Sequence, residues 1–175
     1  CGVRLENGDE VEANLIVSSA GVVNTFGRFL RNYQQKLGIQ TKLAQVRPSS
    51  GHFCLHIGIK ESAQALGLNK TNLWVYPSYN HDENVESFLS NQHNDFPVVF
   101  ISFPSAKDPS WETHHPGTST IEAITMASYN WFDKWKDLPW KKRGQEYEDY
   151  KENISSRLLE IIYQQAQALL MGEHH

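Results

Sequence analysis

Phe53-Cys54-Leu55-His56-Ile57-Gly58-Ile59 sets Phe53, Leu55, Ile57 and Ile59 at every second position, the period of a β-strand with one buried face. The residues between them, with His52 one step earlier, point the other way. Working outward, Leu73-Trp74-Val75-Tyr76 reads as a short strand ended by Pro77. Pro97 leads into Val98-Val99-Phe100-Ile101-Ser102-Phe103, the most strand-like run in the chain, and Thr120 to Ala127 reads as a further strand. The clearest helix covers residues 144–164, where Tyr147, Tyr150, Ile154, Leu158, Ile161 and Ile162 recur at helical spacing opposite a charged face. Shorter helices are expected over 61–67, around Val85 to Leu89, and over 130–137. This order predicts an α+β fold, a mixed, largely antiparallel sheet with helices packed on one side.

Toward the N-terminus, Val3 and Leu5 lead to Asn7-Gly8 and then Val11 and Ala13, a β-hairpin signal, because both turn residues tolerate the positive φ of a type I′ turn. Leu15-Ile16-Val17 is continuously apolar and is expected as a strand in a sheet interior. Ser18-Ser19-Ala20-Gly21 breaks it. A helix capped by Asn24 or Thr25 is expected to run to Leu37, where Gly38 stops it. The segment from Thr41 to Ile59 contains Arg47-Pro48 and Ser49-Ser50-Gly51 before the alternating strand, and Ser105 to Pro116 reads as a loop.

The 175 residues suit one compact domain with part of another, and 39% hydrophobic, 11% aromatic and 21% charged residues suit an ordered globular chain. Sixteen Lys and Arg against twenty Asp and Glu give a formal charge of -4, with no basic stripe to neutralise phosphates, so no nucleic-acid partner is expected. Two cysteines, Cys1 and Cys54, make no disulfide framework or metal knuckle and fit a reducing, intracellular setting. No apolar run approaches the roughly 18 residues of a membrane span. Cys1 and Glu173-His174-His175 read as artificial ends, the latter as a purification-tag remnant.

Four candidate chemistries stand beside plainer readings. His52, Cys54 and His56 share a strand face, yet His52 and His56 are two pleat repeats apart and would need a metal ligand from elsewhere, so packing and hydrogen bonding is the preferred role. His114-His115 point apart on an extended chain, which disfavours joint ligation. Tyr129, Trp131, Phe132, Trp135 and Trp140 could wall an apolar ligand, although core packing is the commoner use of aromatics. The run Trp140-Lys141-Lys142-Arg143 could rest on anionic lipid, with a solvated loop as the plainer reading. Nucleophile-elbow, P-loop, His-Glu-x-x-His and dinucleotide-binding glycine motifs are all missing from the sequence. No catalytic or metal residue is assigned.

Several stretches together carry a resemblance. Gly2-Val-Arg-Leu-Glu-Asn-Gly-Asp-Glu-Val-Glu-Ala13, Ile16-Val-Ser-Ser-Ala-Gly21 and Asn24-Thr-Phe26 are of a kind widespread among FAD oxidoreductases. More specific are Ala44-Gln-Val-Arg-Pro48, Phe103-Pro-Ser-Ala-Lys-Asp-Pro-Ser-Trp111, His115-Pro116, Tyr129-Asn-Trp-Phe-Asp-Lys-Trp135 and Lys142-Arg-Gly-Gln-Glu-Tyr147. Over residues 2–163 the chain resembles the retinol saturase branch of the phytoene desaturase and carotenoid isomerase superfamily. Beyond Tyr163 the resemblance ends.

The resemblance implies the substrate domain of an amine-oxidase-like flavoprotein. Residues 1–21 would be the terminal hairpin of the flavin domain and its exit strand, 22–164 the substrate-binding domain, and 165–175 a helical tail. The parent would bind FAD, perform its redox step with NAD(P) as a hydride source, and saturate or isomerise a double bond of a retinoid- or carotenoid-like polyene. This chain alone is expected to be inactive and to bind no cofactor, with Ser18, Ser19, Ala20 and Gly21 a rim of the flavin site. Polyene contacts are expected from the sheet face carrying His52, Cys54 and His56 or from its opposite, together with the aromatics Trp74, Tyr76, Phe100 and Phe103. Expected partners are the apolar polyene, the parent's flavin domain and a second copy of the chain, with a peripheral membrane contact. The rival readings are a stand-alone carrier of apolar ligands and a membrane-surface module.

Overall fold

In a computed structural model of the chain, residues 2–47 and 49–171 are described. The expected artificial ends, Cys1 and Glu173 to His175, lie outside the described residues. The chain forms two compact units, Cys1–Pro48 and Ser49–His175.

The N-terminal unit opens with β1 (Gly2–Arg4) paired antiparallel to β2 (Glu10–Glu12). The hairpin is present, but its turn is not type I′. Arg4 pairs with Glu10, leaving a five-residue loop closed by the Leu5 amide donating to the Asp9 carbonyl at 2.8 Å. Only Gly8 takes positive φ, at 95°, while Asn7 uses its side chain to bond Asp9. Leu15-Ile16-Val17 forms no strand: no described strand pairs with it, and the three side chains are 80%, 42% and 85% exposed. The expected helix is present in pieces. A π-wound segment (Val23–Phe29), a 3-10 turn (Arg31–Tyr33) and α1 (Gln34–Leu37) follow one another, and Gly38 ends the series at φ 62°. Neither Asn24 nor Thr25 caps it; Asn24 reaches back to the Ala20 carbonyl and Thr25 bonds Ser18. A helix without a signal in the sequence, α2 (Gln40–Gln45), comes next. No described residue of this unit is buried.

The C-terminal unit is built on a four-stranded sheet of order β3-β6-β5-β4, with β3 Gly51–Ile59, β4 Leu73–Val75, β5 Val99–Ser102 and β6 Ser119–Ala127. Every pairing is antiparallel. The register places Phe53 opposite Thr125, Leu55 opposite Ala123 and Ile57 opposite Ile121, with Val99 and Ile101 opposite Thr125 and Ala123 on the other side. Because neighbours across a ladder share a face, these residues form one apolar surface.

That surface is covered by α3 (His81–Ser90), α6 (Gln145–Met171) and a 3-10 segment, Tyr129–Trp135. Phe88 from α3 and Ile154, Leu158 and Ile162 from α6 join Val99, Ile101, Phe103, Ile121 and Ala123 in one core. The four-residue spacing of Ile154, Leu158 and Ile162 keeps them on one stripe of the helix. Asn80 caps α3, its side chain accepting from the Glu83 amide and donating to the Glu83 carboxylate. Residues 61–67 form turns rather than a helix, and the expected loop after β5 contains two short helices, α4 (Pro104–Lys107) and α5 (Trp111–His114).

The aromatic block is divided by this packing. Trp131 stacks on Phe53 at 6.3 Å and meets Phe88 edge-on at 5.3 Å, while Trp135 contacts Tyr147 and Tyr150. These rings are core. Burial pushes the Tyr150 phenol up to about 12 against the opposing influence of the Arg157 charge, and its hydroxyl donates to Gln92.

Candidate functional site

The second face of the sheet is the one away from the core residues of α3 and α6, and it carries the even-numbered residues of β3, β5 and β6. Trp74 pairs with Phe100, Phe100 with Ile124, and Ile124 with Cys54, so one row crosses all four strands. The Trp74 and Phe100 rings lie 4.8 Å apart. One step along the strands, Met126 pairs with His52. His52, Trp74, Val98, Phe100, Ile124 and Met126 border an open apolar trough of about 280 Å³. In the opposite direction lies a polar row, Ser102 opposite Glu122 and Glu122 opposite His56, with the His56 Nδ1 3.2 Å from the Glu122 carboxylate.

Five of the seven expected polyene contacts, His52, Cys54, His56, Trp74 and Phe100, therefore share one face. The other two do not. Phe103 is three positions from Phe100 and so has the opposite parity on an extended chain; it is 4% exposed, inside the core. Tyr76 lies past the end of β4, with its ring 4.5 Å from His81, and borders a crevice shared with Arg157 and Ile161. Ile124 and Met126 were missed because strand register is invisible in a single sequence, although the parity of β6 places them on one face with Glu122.

Cys54 is a free, exposed thiol. Partial burial pushes it above its ordinary value, and the nearby Glu122 charge adds to the shift. No group of three His, Cys, Asp or Glu side chains able to hold a metal occurs among the described residues. A second apolar crevice, about 360 Å³, opens on the covered side between the sheet and α6, bordered by Leu66, Leu68, Leu73, Phe103, Ile162 and Ala166.

The other candidates resolve as follows. His115 packs on Trp111 at 4.6 Å, and the Trp111 indole donates to the Thr118 carbonyl, so the histidine pair sits on a packed turn. Trp140 is 77% exposed with Lys141 over its ring, but Arg143 turns inward onto Tyr147. No described helix is long and apolar enough to cross a membrane.

Ser18, Ser19, Ala20 and Gly21 belong to the N-terminal unit and are exposed. Gly21 has φ 83°, and a Cβ built there would meet nothing within 4 Å. The Ser18 hydroxyl is occupied by Thr25 at 2.7 Å and also accepts from the Ala20 amide. The segment thus offers open backbone for a group to approach, but not an enclosed cradle.

No family model and no solved structure matches the chain. Curated relatives do match, and they define the class first: the chain is homologous to a region of the retinol saturase and carotenoid oxidoreductase proteins. Within that class the stronger similarity is to the all-trans-retinol 13,14-reductases. The protein named inactive all-trans-retinol 13,14-reductase of Danio rerio is 33% identical over 167 residues, 91% of this chain and 28% of the relative. All-trans-retinol 13,14-reductase of Macaca fascicularis is 34% identical over 162 residues, 88% of this chain and 27% of the relative. The neurosporene-forming phytoene desaturase of Rhodobacter capsulatus is more distant, 27% identical over 148 residues, covering 83% of this chain and 27% of the desaturase. The chain thus spans a little over a quarter of the length of the relatives it matches.

Proposed function

We propose that this chain is the substrate-side region of a FAD-dependent oxidoreductase that saturates or isomerises a double bond in a retinoid- or carotenoid-like polyene. The observation that carries the reading is the open face of the sheet. A core sheet in water is stable with one face covered, yet this one puts Trp74, Phe100, Ile124 and Met126 side by side on the face away from α3 and α6, Trp74 exposed and the other three half-buried. A contiguous, partly exposed apolar surface suits a binding site, and a flat conjugated chain matches aromatic and aliphatic side chains arranged in a row.

The division of labour follows from chemistry. In such an enzyme FAD, with NAD(P) as the hydride source, supplies the redox step, and the protein orients the polyene and keeps water away. His52, Cys54, His56, Trp74 and Phe100 would line the polyene, joined by Ile124 and Met126. Ser18 to Gly21 would touch the flavin from the rim, and residues 1–21 would belong to the flavin-binding part of the longer protein. The remaining three-quarters of the relatives' length leaves room for that part. By itself the chain would bind polyene, hold no flavin and catalyse nothing.

The test is to titrate the purified chain with FAD and, separately, with all-trans-retinol and a longer carotenoid, following flavin and tryptophan fluorescence. Tryptophan quenching by a polyene without flavin binding is the expected result. Absence of binding by either polyene, or stoichiometric FAD binding, would overturn the assignment.

A further inference from the structure

The open face is divided along its strands into an apolar row and a polar row, and the polar row is built as a subsite. Its construction begins in the turn after β5. Pro104 starts α4, and the Ser105 hydroxyl accepts from the Thr120 amide at 2.9 Å and reaches the Thr120 carbonyl at 3.4 Å, tying the short helix to β6. That anchorage carries Lys107, the last residue of α4, back over the end of β5. Its ammonium donates to the Ser102 hydroxyl at 2.7 Å and to the Asn72 side chain. An ammonium has three N–H donors. Two are thus used, and the third has no partner among the described residues.

Ser102 lies directly opposite Glu122 in the ladder, so their backbones are about 5 Å apart. Glu122 gives one oxygen to His56, and its other oxygen has no partner among the described residues. A spare donor from α4, held over Ser102 of β5, and a spare acceptor on the adjacent strand β6 are therefore brought together, Ser102 and Glu122 lying one pleat repeat, about 7 Å, from the Trp74, Phe100, Ile124 and Cys54 row. This pairing selects a chemical group. A hydroxyl can accept from Lys107 and donate to Glu122 at once. A carboxylate would meet the Glu122 charge, a carbonyl would leave Glu122 unserved, and a hydrocarbon end would strip water from both.

Resting on the reading of this face as the polyene site, we propose that Lys107 and Glu122 form a terminal subsite that selects a polyene alcohol over the corresponding acid or hydrocarbon. Ser102 and Asn72 position the lysine, and His56 positions the carboxylate. The polyene body lies on the aromatic row, and its hydroxyl end is held at the polar one.

The experiment compares the affinity of the purified chain for all-trans-retinol, all-trans-retinoic acid and the hydrocarbon of the same skeleton, for wild type, Lys107→Met and Glu122→Gln. Wild type is expected to bind the alcohol about tenfold more tightly than the hydrocarbon, the worth of one or two net hydrogen bonds. Both variants should lose that preference while keeping hydrocarbon affinity. Glu122→Gln should also bind the acid several-fold more tightly than wild type does, a gain that a merely structural role for Glu122 would not produce. Undiminished alcohol preference in both variants would overturn the subsite while leaving the polyene site standing. No binding of any of the three ligands by wild type would instead overturn the polyene site, and the subsite with it.

Discussion

The two faces of the four-stranded sheet are made from the same strands and differ in what covers them. On one, Ile101 and Val99 are each 1% exposed beneath Phe88 of α3 and Leu158 of α6, themselves 1% exposed. On the other, Trp74 is 61% exposed, although it is as apolar as anything on the first. The covered face explains why the unit folds. The open face is apolar in excess of what folding needs, and that excess is the part that calls for a ligand.

The comparison can be broken by substitutions on each side. The largest effect is expected on the covered face: Leu158→Ala should cost about 2–5 kcal/mol of stability, measured by urea unfolding, because the surrounding core cannot collapse into the gap. Trp74→Ala, on the open face, should cost about 0.5 kcal/mol or less in the same assay. A loss at Trp74 equal to that at Leu158 would mean that the open face is core after all. Next in size, Ile124→Asp should weaken retinol binding about tenfold or more, because a carboxylate in the trough must be desolvated, whereas Ile121→Val on the covered face should leave binding unchanged.

Chemical reactivity sharpens the same contrast. Burial and the Glu122 charge both raise the Cys54 pKa, so at pH 8 less of it is thiolate than of an ordinary thiol, and alkylation should be correspondingly slow. Glu122→Gln removes the smaller cause, lowers the pKa and should speed alkylation a few-fold in a Cys1→Ala background. Unchanged rates would separate Glu122 from the apolar row. The smallest effect belongs to Tyr150. Its phenol titrates at about 12 in the folded chain, above the roughly 10 of an unfolded tyrosine. The folded state therefore holds this proton longer. That contribution to stability is complete below about pH 10 and is lost as pH rises toward 12. Tyr150→Phe should flatten the fall in urea midpoint between about pH 9 and pH 11.

Much of the second unit was legible because its signals are local. Alternation from Phe53 to Ile59 fixed the parity of β3, and the spacing of Ile154, Leu158 and Ile162 defined the inward stripe of α6. What escaped depends on pairing. Nothing in a single sequence says that Ile124 lies beside Phe100, or that Lys107 returns over Ser102, since both follow from register and from the Ser105 anchorage. Parity alone separates Phe103, inside the core, from Phe100 on the open face. Leu15-Ile16-Val17 has the composition of an interior strand, but a strand requires a partner, and no described strand of this chain pairs with it.

The measurement that tests the account most directly is methyl NMR of the isoleucines and methionines during a retinol titration. Binding on the open face predicts that Ile124 and Met126 shift while Ile101, Ile121 and Ile162 stay in place. Shifts at Ile101, Ile121 and Ile162 with Ile124 and Met126 unmoved would put the ligand in the crevice beneath α6 and contradict the assignment of the open face.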